Sequence, residues 1–158
     1  MNNGKYFREL DFARFDFYFR TGMFSSSWRG WLGTLNRRFA NGNEEKQVYF
    51  IHHGAMIRFR KPLIFLMPFV VKTNMVFFDK TSLYFEQTFI SKPDNFVRAI
   101  AFCKNTALNC PDVKEFMRKR YNVLQPECPP DLAKYLEANE ISSNKLSEES
   151  SVNRCKGD

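Results

Sequence analysis

Histidine is scarce in this sequence, and the motifs of zinc sites and of serine hydrolases are missing. His52 and His53 are the only histidines, and no two cysteines form a CxxC pair. Because zinc sites combine closely spaced cysteine and histidine ligands, we expect no metal site, and nothing indicates another cofactor. The GxSxG motif of α/β-hydrolases is also missing, so a serine nucleophile has no support. The thiols of Cys103, Cys110, Cys128 and Cys155 are expected to be free and reduced.

Apolar runs long enough to cross a membrane are missing as well. The first ten residues lack the apolar core of a signal peptide. The longest apolar run, Leu63 to Val71, is interrupted by Pro68 and is too short to span a bilayer. We therefore expect none of these segments to span a membrane. The compartment stays undetermined.

Charge is present but dispersed. The formal charge is +7, yet no run of five like charges occurs, which argues against a nucleic-acid partner. An anionic membrane, a phosphate-bearing ligand and simple solubility all explain the excess of lysine and arginine. Phenylalanine is abundant, with 18 copies, and so many rings need a thick core, an apolar pocket or a subunit interface.

The first predicted element is a helix from Lys5 to Thr21. Four apolar residues recur at helical spacing along one face: Tyr6, Leu10, Ala13 and Phe17. Asn2 or Asn3 can cap its start, and Gly22 stands where a C-terminal cap glycine is common. Because apolar residues occur nearly all round this helix, we expect it to be deeply buried.

Four runs rich in β-branched and aromatic residues predict strands. They cover Val48–Arg60, Phe69–Phe78, Ser82–Ile90 and Asn95–Leu108. The short breaks indicate hairpins, hence a four-stranded antiparallel meander curled around the helix in an α+β fold. Alternation places Tyr49, Ile51, Ala55, Ile57 and Phe59 on one face of the first strand. It groups Leu83, Phe85 and Phe89 in the same way on the third strand.

The remaining segments are less regular. Phe24 to Lys46 is predicted to be loop with a helical turn around Trp28 and Trp31. Pro111 to Tyr121 is predicted to be a helix with Pro111 in its first position, and a short helix is expected from Asp131 to Asn139. From Ser142 the composition favours a disordered tail. The predicted organisation is thus one domain over residues 1–140 and a tail over residues 141–158.

Several stretches together resemble a known family, the hotdog thioesterases of the 4-hydroxybenzoyl-CoA type. Met1 to Tyr6 resembles the end of that family's active-site loop, and Phe7 to Phe15 is similar to the helix that follows. The further similar stretches are Arg58–Leu63, Pro68–Thr73, Leu83–Phe89 and Val97–Ala101. Their order and spacing carry the resemblance, more than any single motif.

The resemblance implies a hotdog fold, a long central helix wrapped by a curved antiparallel sheet, here without its first strand. It implies acyl-CoA or another acyl thioester as the ligand, and a homodimer with sheets paired edge to edge. It also implies membrane association only through an apolar N-terminal segment that is absent here. In this family the start of the central helix polarises the thioester carbonyl. That assigns Asn2, Asn3, Gly4 and Tyr6 to the site.

The acids and the histidine that precede the asparagine pair in the family have no counterpart in this sequence. We therefore expect thioester hydrolysis with reduced or no activity, unless another acid substitutes. Glu9 is assigned this role, with Asp11 as an alternative and Glu86 as a weaker one. Solvated surface charges explain these acids as well.

Other residues also have two interpretations. Arg58, Arg60 and Lys61 are assigned to the phosphates of CoA, or else they form a solvated edge that blocks sheet pairing. His52 and His53, one on each sheet face, are expected to be structural. The aromatic stripe of Phe77, Phe78, Tyr84, Phe85 and Phe89 lines an acyl pocket or belongs to the core. The alternative function is a non-catalytic lipid-binding or dimeric scaffold protein.

Overall fold

The computed structural model of the chain describes residues 2–23 and 48–154. The elements, in chain order, are α1 (Asn3–Arg20), β1 (Tyr49–Phe59), β2 (Phe69–Phe78), β3 (Ser82–Ser91), β4 (Val97–Leu108), α2 (Val113–Tyr121) and α3 (Pro130–Arg154). Every strand predicted from the sequence is present within a few residues of its expected bounds. The predicted loop and helical turn around Trp28 and Trp31 lie outside the described residues.

The four strands form one antiparallel sheet in the order β1-β4-β3-β2. The hairpins β2–β3 and β3–β4 confirm the two short breaks. The simple meander was wrong for the first strand, because β1 pairs with β4 and not with β2. The reason lies in the connection between β1 and β2, which contains Pro62 and Pro68 and is too long for a tight hairpin turn.

Three strand pairs contain a residue without a cross-strand partner, which is the geometry of a β-bulge. These residues are His53 in β1, Val76 in β2 and Arg98 in β4. A bulge bends the strand and increases its twist, so the sheet can curve around a helix. The bulge at His53 also reverses the side-chain alternation. Phe50, Ala55 and Ile57 therefore pack against the core, whereas Tyr49 and Ile51 are exposed, contrary to the predicted face.

Helix α1 lies against the concave face of the sheet and buries one face of its surface. The fully buried positions are Tyr6, Leu10, Arg14 and Tyr18, spaced by four residues. The predicted stripe was right for Tyr6 and Leu10, but Ala13 and Phe17 are only half-buried. The expectation of a deeply buried helix was wrong, since Phe12 is 60% exposed. The helix ends at Arg20 with Thr21 as its C-cap, and Gly22 follows with the positive φ of 71° expected after a helix end.

Aromatic side chains join helix and sheet at the centre of the core. The Tyr6 and Phe89 rings meet edge to face with centroids 4.9 Å apart, and Tyr18 meets Phe85 in the same way at 5.6 Å. Leu83, Phe85 and Phe89 are fully buried on one face of β3, which confirms their predicted grouping. The aromatic residues of that face therefore belong to the core.

Helix α2 begins at Val113, two residues later than predicted. Asp112 is its N-cap, accepting hydrogen bonds from the N–H groups of Lys114 and Glu115 at 2.8 and 3.2 Å. Pro111 therefore precedes the cap and does not occupy the first helical position. Val113 and Met117 on this helix are buried in the core cluster.

The chain divides into two compact units, residues 1–126 and residues 127–158. The second unit contains α3, which is much longer than the helix predicted from Asp131 to Asn139. Residues 142–154 are helical where a disordered tail is predicted, since the segment contains no proline or glycine to end the helix. The division into a domain and a tail at residue 140 stays a prediction. In the described residues, no helix combines the length and apolar content needed to cross a membrane.

The buried face of β3 predicts a large contrast between two phenylalanines. Phe85→Ala removes a fully buried ring and should lower the free energy of unfolding by about 3–5 kcal/mol. Phe65→Ala removes a ring that is 87% exposed and should change it by less than about 0.5 kcal/mol. Urea denaturation of both variants measures the difference. Equal destabilisation would contradict the assigned core.

Candidate functional site

The start of α1 is the first part of the predicted site. Asn2 caps the helix: its side-chain oxygen accepts a hydrogen bond from the Lys5 N–H at 3.0 Å. Its carbonyl oxygen accepts from the N–H groups of Lys5 and Tyr6 at 3.1 and 3.3 Å. The first turn contains no acidic residue, so no side-chain charge offsets the positive end of the helix dipole.

Gly4 lies in this first turn and is exposed. Within the described residues its N–H is assigned no hydrogen-bond acceptor, as is common for the first helical N–H groups. A Cβ atom built on Gly4 would meet only the Asn2 side-chain oxygen, at 3.9 Å, which is ordinary van der Waals contact. The packing of the helix therefore does not require glycine here. A donor N–H with little steric cover is available to an anion or a carbonyl oxygen.

A cleft of about 560 Å³ runs along α1 beside the edge strand β2. The helix contributes polar and apolar side chains, and the strand contributes Phe69, Val71 and Thr73. The helical lining consists of Glu9, Phe12, Ala13, Asp16, Phe17 and Arg20. At ~1.5 Å per residue, the cleft opens about 7.5 Å along the axis from Gly4. It combines apolar side chains with polar ones, among them the carboxylates of Glu9 and Asp16.

The acids on α1 are all ion-paired with neighbouring arginines. The Glu9 carboxylate lies 2.8 Å from the Arg8 guanidinium, which is mostly exposed. Asp11 pairs with Arg14, and Asp16 pairs with Arg20 at 2.8 Å. Glu86, the weaker candidate, alternates with buried Phe85 and Gln87 and so lies on the face of the sheet away from α1. Glu9 is thus the assigned acid that remains beside the cleft.

Tyr6 lies in the core below the helix start. It is 2% exposed, and its ring meets those of Phe59 and Phe89 edge to face at 4.9 Å. The Leu63 N–H donates a hydrogen bond to its hydroxyl oxygen at 3.2 Å. These contacts give Tyr6 a packing role, and a catalytic role for its hydroxyl stays a prediction.

The predicted phosphate-binding residues follow the end of β1. Arg60 and Lys61 both lie over the Phe96 ring, at 4.8 and 4.6 Å from its centroid, and Arg98 approaches the same ring at 5.2 Å. Arg98 is neutralised by Asp94, whose pKa is held low by the hydrogen bond from Ser91 and by the Arg98 charge. In the described part of the chain, no carboxylate pairs with Arg58, Arg60 or Lys61. These three cations remain available to an anionic ligand.

A buried polar network between α1 and the sheet has no counterpart in the sequence-based predictions. Arg14 is 3% exposed, pairs with Asp11, and donates to the Gln87 side-chain oxygen at 2.8 Å. The Gln87 amide in turn donates to the Leu10 carbonyl and to the Thr73 hydroxyl, both at 3.0 Å. The sequence did contain a signal for the burial of Arg14. It follows Leu10 by four residues, as Leu10 follows Tyr6, and so lies on the same face of the helix.

A second polar group lies beside this network, around a cavity of about 60 Å³. The Asn105 amide donates to the Tyr18 hydroxyl at 2.7 Å, and its oxygen lies 3.4 Å from His52 Nδ1. Burial raises the pKa of Tyr18, and loss of hydration together with the Arg14 charge lowers the pKa of His52. Burial also raises the pKa of the Cys103 thiol to about 11. At neutral pH these groups are uncharged, which fits the structural role expected for His52.

Metal ligation finds no support among the described residues, which contain no cluster of three or more histidine, cysteine or acidic side chains. Cys103, Cys110 and Cys128 carry free thiols.

The Arg14–Gln87 contact predicts non-additive effects on stability. Arg14→Met and Gln87→Met each leave a buried polar partner unsatisfied and should cost about 1–3 kcal/mol. The double variant should cost at least about 1 kcal/mol less than the sum, as measured by a double-mutant cycle of urea denaturation. Arg20→Met, in an exposed ion pair, is the control and should cost less than about 0.5 kcal/mol. Additive costs would show that the contact does not couple helix to sheet.

Comparison with known proteins places this geometry in a family. The model of the thioesterase-like superfamily matches residues 1–136. Protein THEM6 of Drosophila melanogaster is 33% identical over 147 residues, which are 92% of this chain and 67% of that protein. Protein THEM6 of Xenopus laevis is 32% identical over 154 residues, 96% of this chain and 66% of that protein. This chain thus spans about two thirds of the length of these relatives.

A solved structure shares the fold. The gentisyl-coenzyme A thioesterase BH1999 superposes with a TM-score of 0.52 and 21% identity, covering 70% of this chain and 77% of the other. This likeness confirms the predicted hotdog architecture, an α+β fold with its helix against a curved antiparallel sheet. With the fold, the helix-start geometry and the family match in agreement, the chain belongs to the thioesterase-like superfamily.

Proposed function

We propose that this protein binds acyl thioesters such as acyl-CoA and hydrolyses them at the start of α1. The observation that carries the proposal is the exposed Gly4 N–H at an uncompensated helix start, in a chain of the thioesterase-like superfamily. A helix start of this kind stabilises negative charge as it develops on the carbonyl oxygen. Asn2 and Asn3 shape the turn that holds this donor in place.

The chemical step requires a base and an oxyanion site. Water adds to the thioester carbonyl carbon and transfers a proton to the Glu9 carboxylate, while the Gly4 N–H stabilises the new oxyanion. The tetrahedral intermediate then releases the thiolate, and the proton passes to the sulfur. Glu9 is proposed as the base because it lines the cleft. Its partner Arg8 is mostly exposed, so water can replace the guanidinium at the carboxylate.

The cleft beside β2 is the proposed site of the acyl chain. Phe12, Phe17, Phe69 and Val71 give it apolar walls, which favour burial of methylene groups. Its volume of about 560 Å³ is in the range of small-molecule sites. Arg58, Arg60 and Lys61 are proposed to meet the phosphates of the CoA portion.

A homodimer is part of the same proposal. Strand β2 is an edge of the described sheet and also forms one wall of the cleft. A second copy packed at this edge would pair its exposed backbone groups and cover the exposed Phe12 ring of α1. The cleft would then be enclosed at the subunit interface.

A second candidate function is acyl-chain binding without hydrolysis. The observation that favours it is that Glu9, Asp11 and Asp16 are each already bound to an arginine, so no carboxylate of α1 is left unpaired beside the cleft. The two functions share the cleft and differ only in turnover.

Gly4→Ala separates a role in the site from a role in the fold. The methyl group fits the helix and raises its propensity, so the free energy of unfolding should rise by about 0.5–1 kcal/mol. The same methyl group covers the proposed donor, so turnover of acyl-CoA should fall about tenfold or more. Turnover is measured with acyl-CoAs of several chain lengths, and stability by urea denaturation.

The outcomes of this assay discriminate between the two functions. Unchanged turnover in a stabilised Gly4→Ala variant would refute the site at the helix start. Retained acyl-CoA binding without turnover in the unsubstituted protein would favour the non-catalytic function.

The basic residues after β1 predict a charge-dependent contribution to CoA binding. Replacing Arg58, Arg60 and Lys61 together by Gln should weaken CoA binding roughly tenfold at low salt, because three surface contacts to phosphate are lost. A matched control replaces Arg118, Lys119 and Arg120 on α2 by Gln, which removes the same charge. Calorimetric titration with CoA measures both. Equal weakening by the two triple variants would mean that only net charge matters.

A further inference from the structure

The connection between β1 and β2 presents three large apolar residues in succession to solvent. Ile64, Phe65 and Leu66, here called the apolar loop, are 63%, 87% and 84% exposed. The Met67 N–H donates to the Ile64 carbonyl at 3.2 Å, so the loop is a closed turn with Phe65 and Leu66 at its tip. Scattered exposed apolar residues are common, whereas three consecutive ones at a turn tip mark an interaction site.

The base of the apolar loop is fixed on both sides. Leu63 is 1% exposed, and its N–H donates to the buried Tyr6 hydroxyl at 3.2 Å. On the other side, the Lys92 N–H donates to the Pro68 carbonyl at 2.9 Å. Because the flanking residues are anchored, the tip is held away from the core.

The backbone conformation at the tip of the turn is also unfavourable for leucine. Leu66 has a φ of 59°, in the left-handed region that Gly and Asn adopt readily and a branched apolar residue does not. The third position of such a turn normally holds Gly or Asn for this reason. Leu66 is thus kept at a cost in backbone energy and in apolar exposure, which points to a function outside the folded monomer.

The charges next to the apolar loop are positive. Arg58, Arg60 and Lys61 precede it, and Lys92 contacts its far end through the backbone. No Asp or Glu occurs in the sequence between Lys46 and Asp79. An apolar tip with basic flanks complements a surface that has negative headgroups over a hydrocarbon interior.

We propose that the apolar loop docks the protein on anionic membranes, with Phe65 and Leu66 inserted below the headgroups and the adjacent cations on the lipid phosphates when no CoA occupies them. Insertion of apolar side chains and attraction to anionic headgroups act together in such binding. Neither alone keeps a protein stably on a membrane through so small a contact. A second copy of the chain would bring the same positive charges together, so the charge pattern favours the membrane as the occupant.

Vesicle binding tests the proposal. The full chain is floated with vesicles of phosphatidylcholine alone and with vesicles that also contain phosphatidylserine. Binding should appear with the anionic vesicles and weaken as salt rises. The variant with Phe65→Ser and Leu66→Asn should bind at least about tenfold more weakly, because both inserted side chains become polar. Asn also suits the φ of position 66, so the variant should fold.

The matched control is Leu124→Ser, which changes a residue that is 76% exposed elsewhere on the same unit and should leave vesicle binding unchanged. Absence of preference for anionic vesicles would overturn the proposal, as would equal loss of binding in the control. Light scattering of the loop variant tests the alternative that a second copy of the chain binds the apolar loop. A dimer that dissociates in the variant while vesicle binding stays unchanged would assign the loop to an interface between copies.

Discussion

The buried guanidinium of Arg14 is the interaction on which the position of α1 depends. A charge without solvent is tolerated only when its hydrogen bonds are made, and here Asp11 and Gln87 make them. Gln87 also donates a hydrogen bond to the Leu10 carbonyl. One side chain of β3 therefore fixes both the rotation of the helix about its axis and its position along that axis. The place of Gly4 and the wall of the cleft follow from that fit, because both belong to the same rigid helix.

Membership of the thioesterase-like superfamily and catalytic activity are separate questions for this chain. The family accounts for the helix against a curved sheet. Hydrolysis depends in addition on a carboxylate that can reach the attacking water, and each acid on α1 already has an arginine partner. The proposed activity rests on Glu9 because it lines the cleft and lies nearer in sequence to Gly4 than Asp16, the other acid of the lining.

Much of the fold could be predicted because each strand and helix has a local signal in the sequence. Side chains of β2 and β3 alternate between the two faces of the sheet, and the break between these strands is short. Gly22 follows the end of α1 as expected. Tertiary context decided the rest. The partner of β1 depends on a long connection, and the face of α1 depends on Arg14 being satisfied by a residue 73 positions away. The helix start was recognisable through Asn2 and Gly4, but the convergence of Arg60, Lys61 and Arg98 on Phe96 required the pairing of distant strands.

The single extra residue in β1 has a consequence for how this sequence can change. His53 shifts the register of β1 by one residue. Even-numbered Phe50 before it and odd-numbered Ala55 and Ile57 after it therefore all face the core. Substitutions on either side can accumulate one at a time, whereas deleting one residue there would exchange the inner and outer faces of half a strand. Lineages of this chain should therefore vary in residue type at this position more readily than in length.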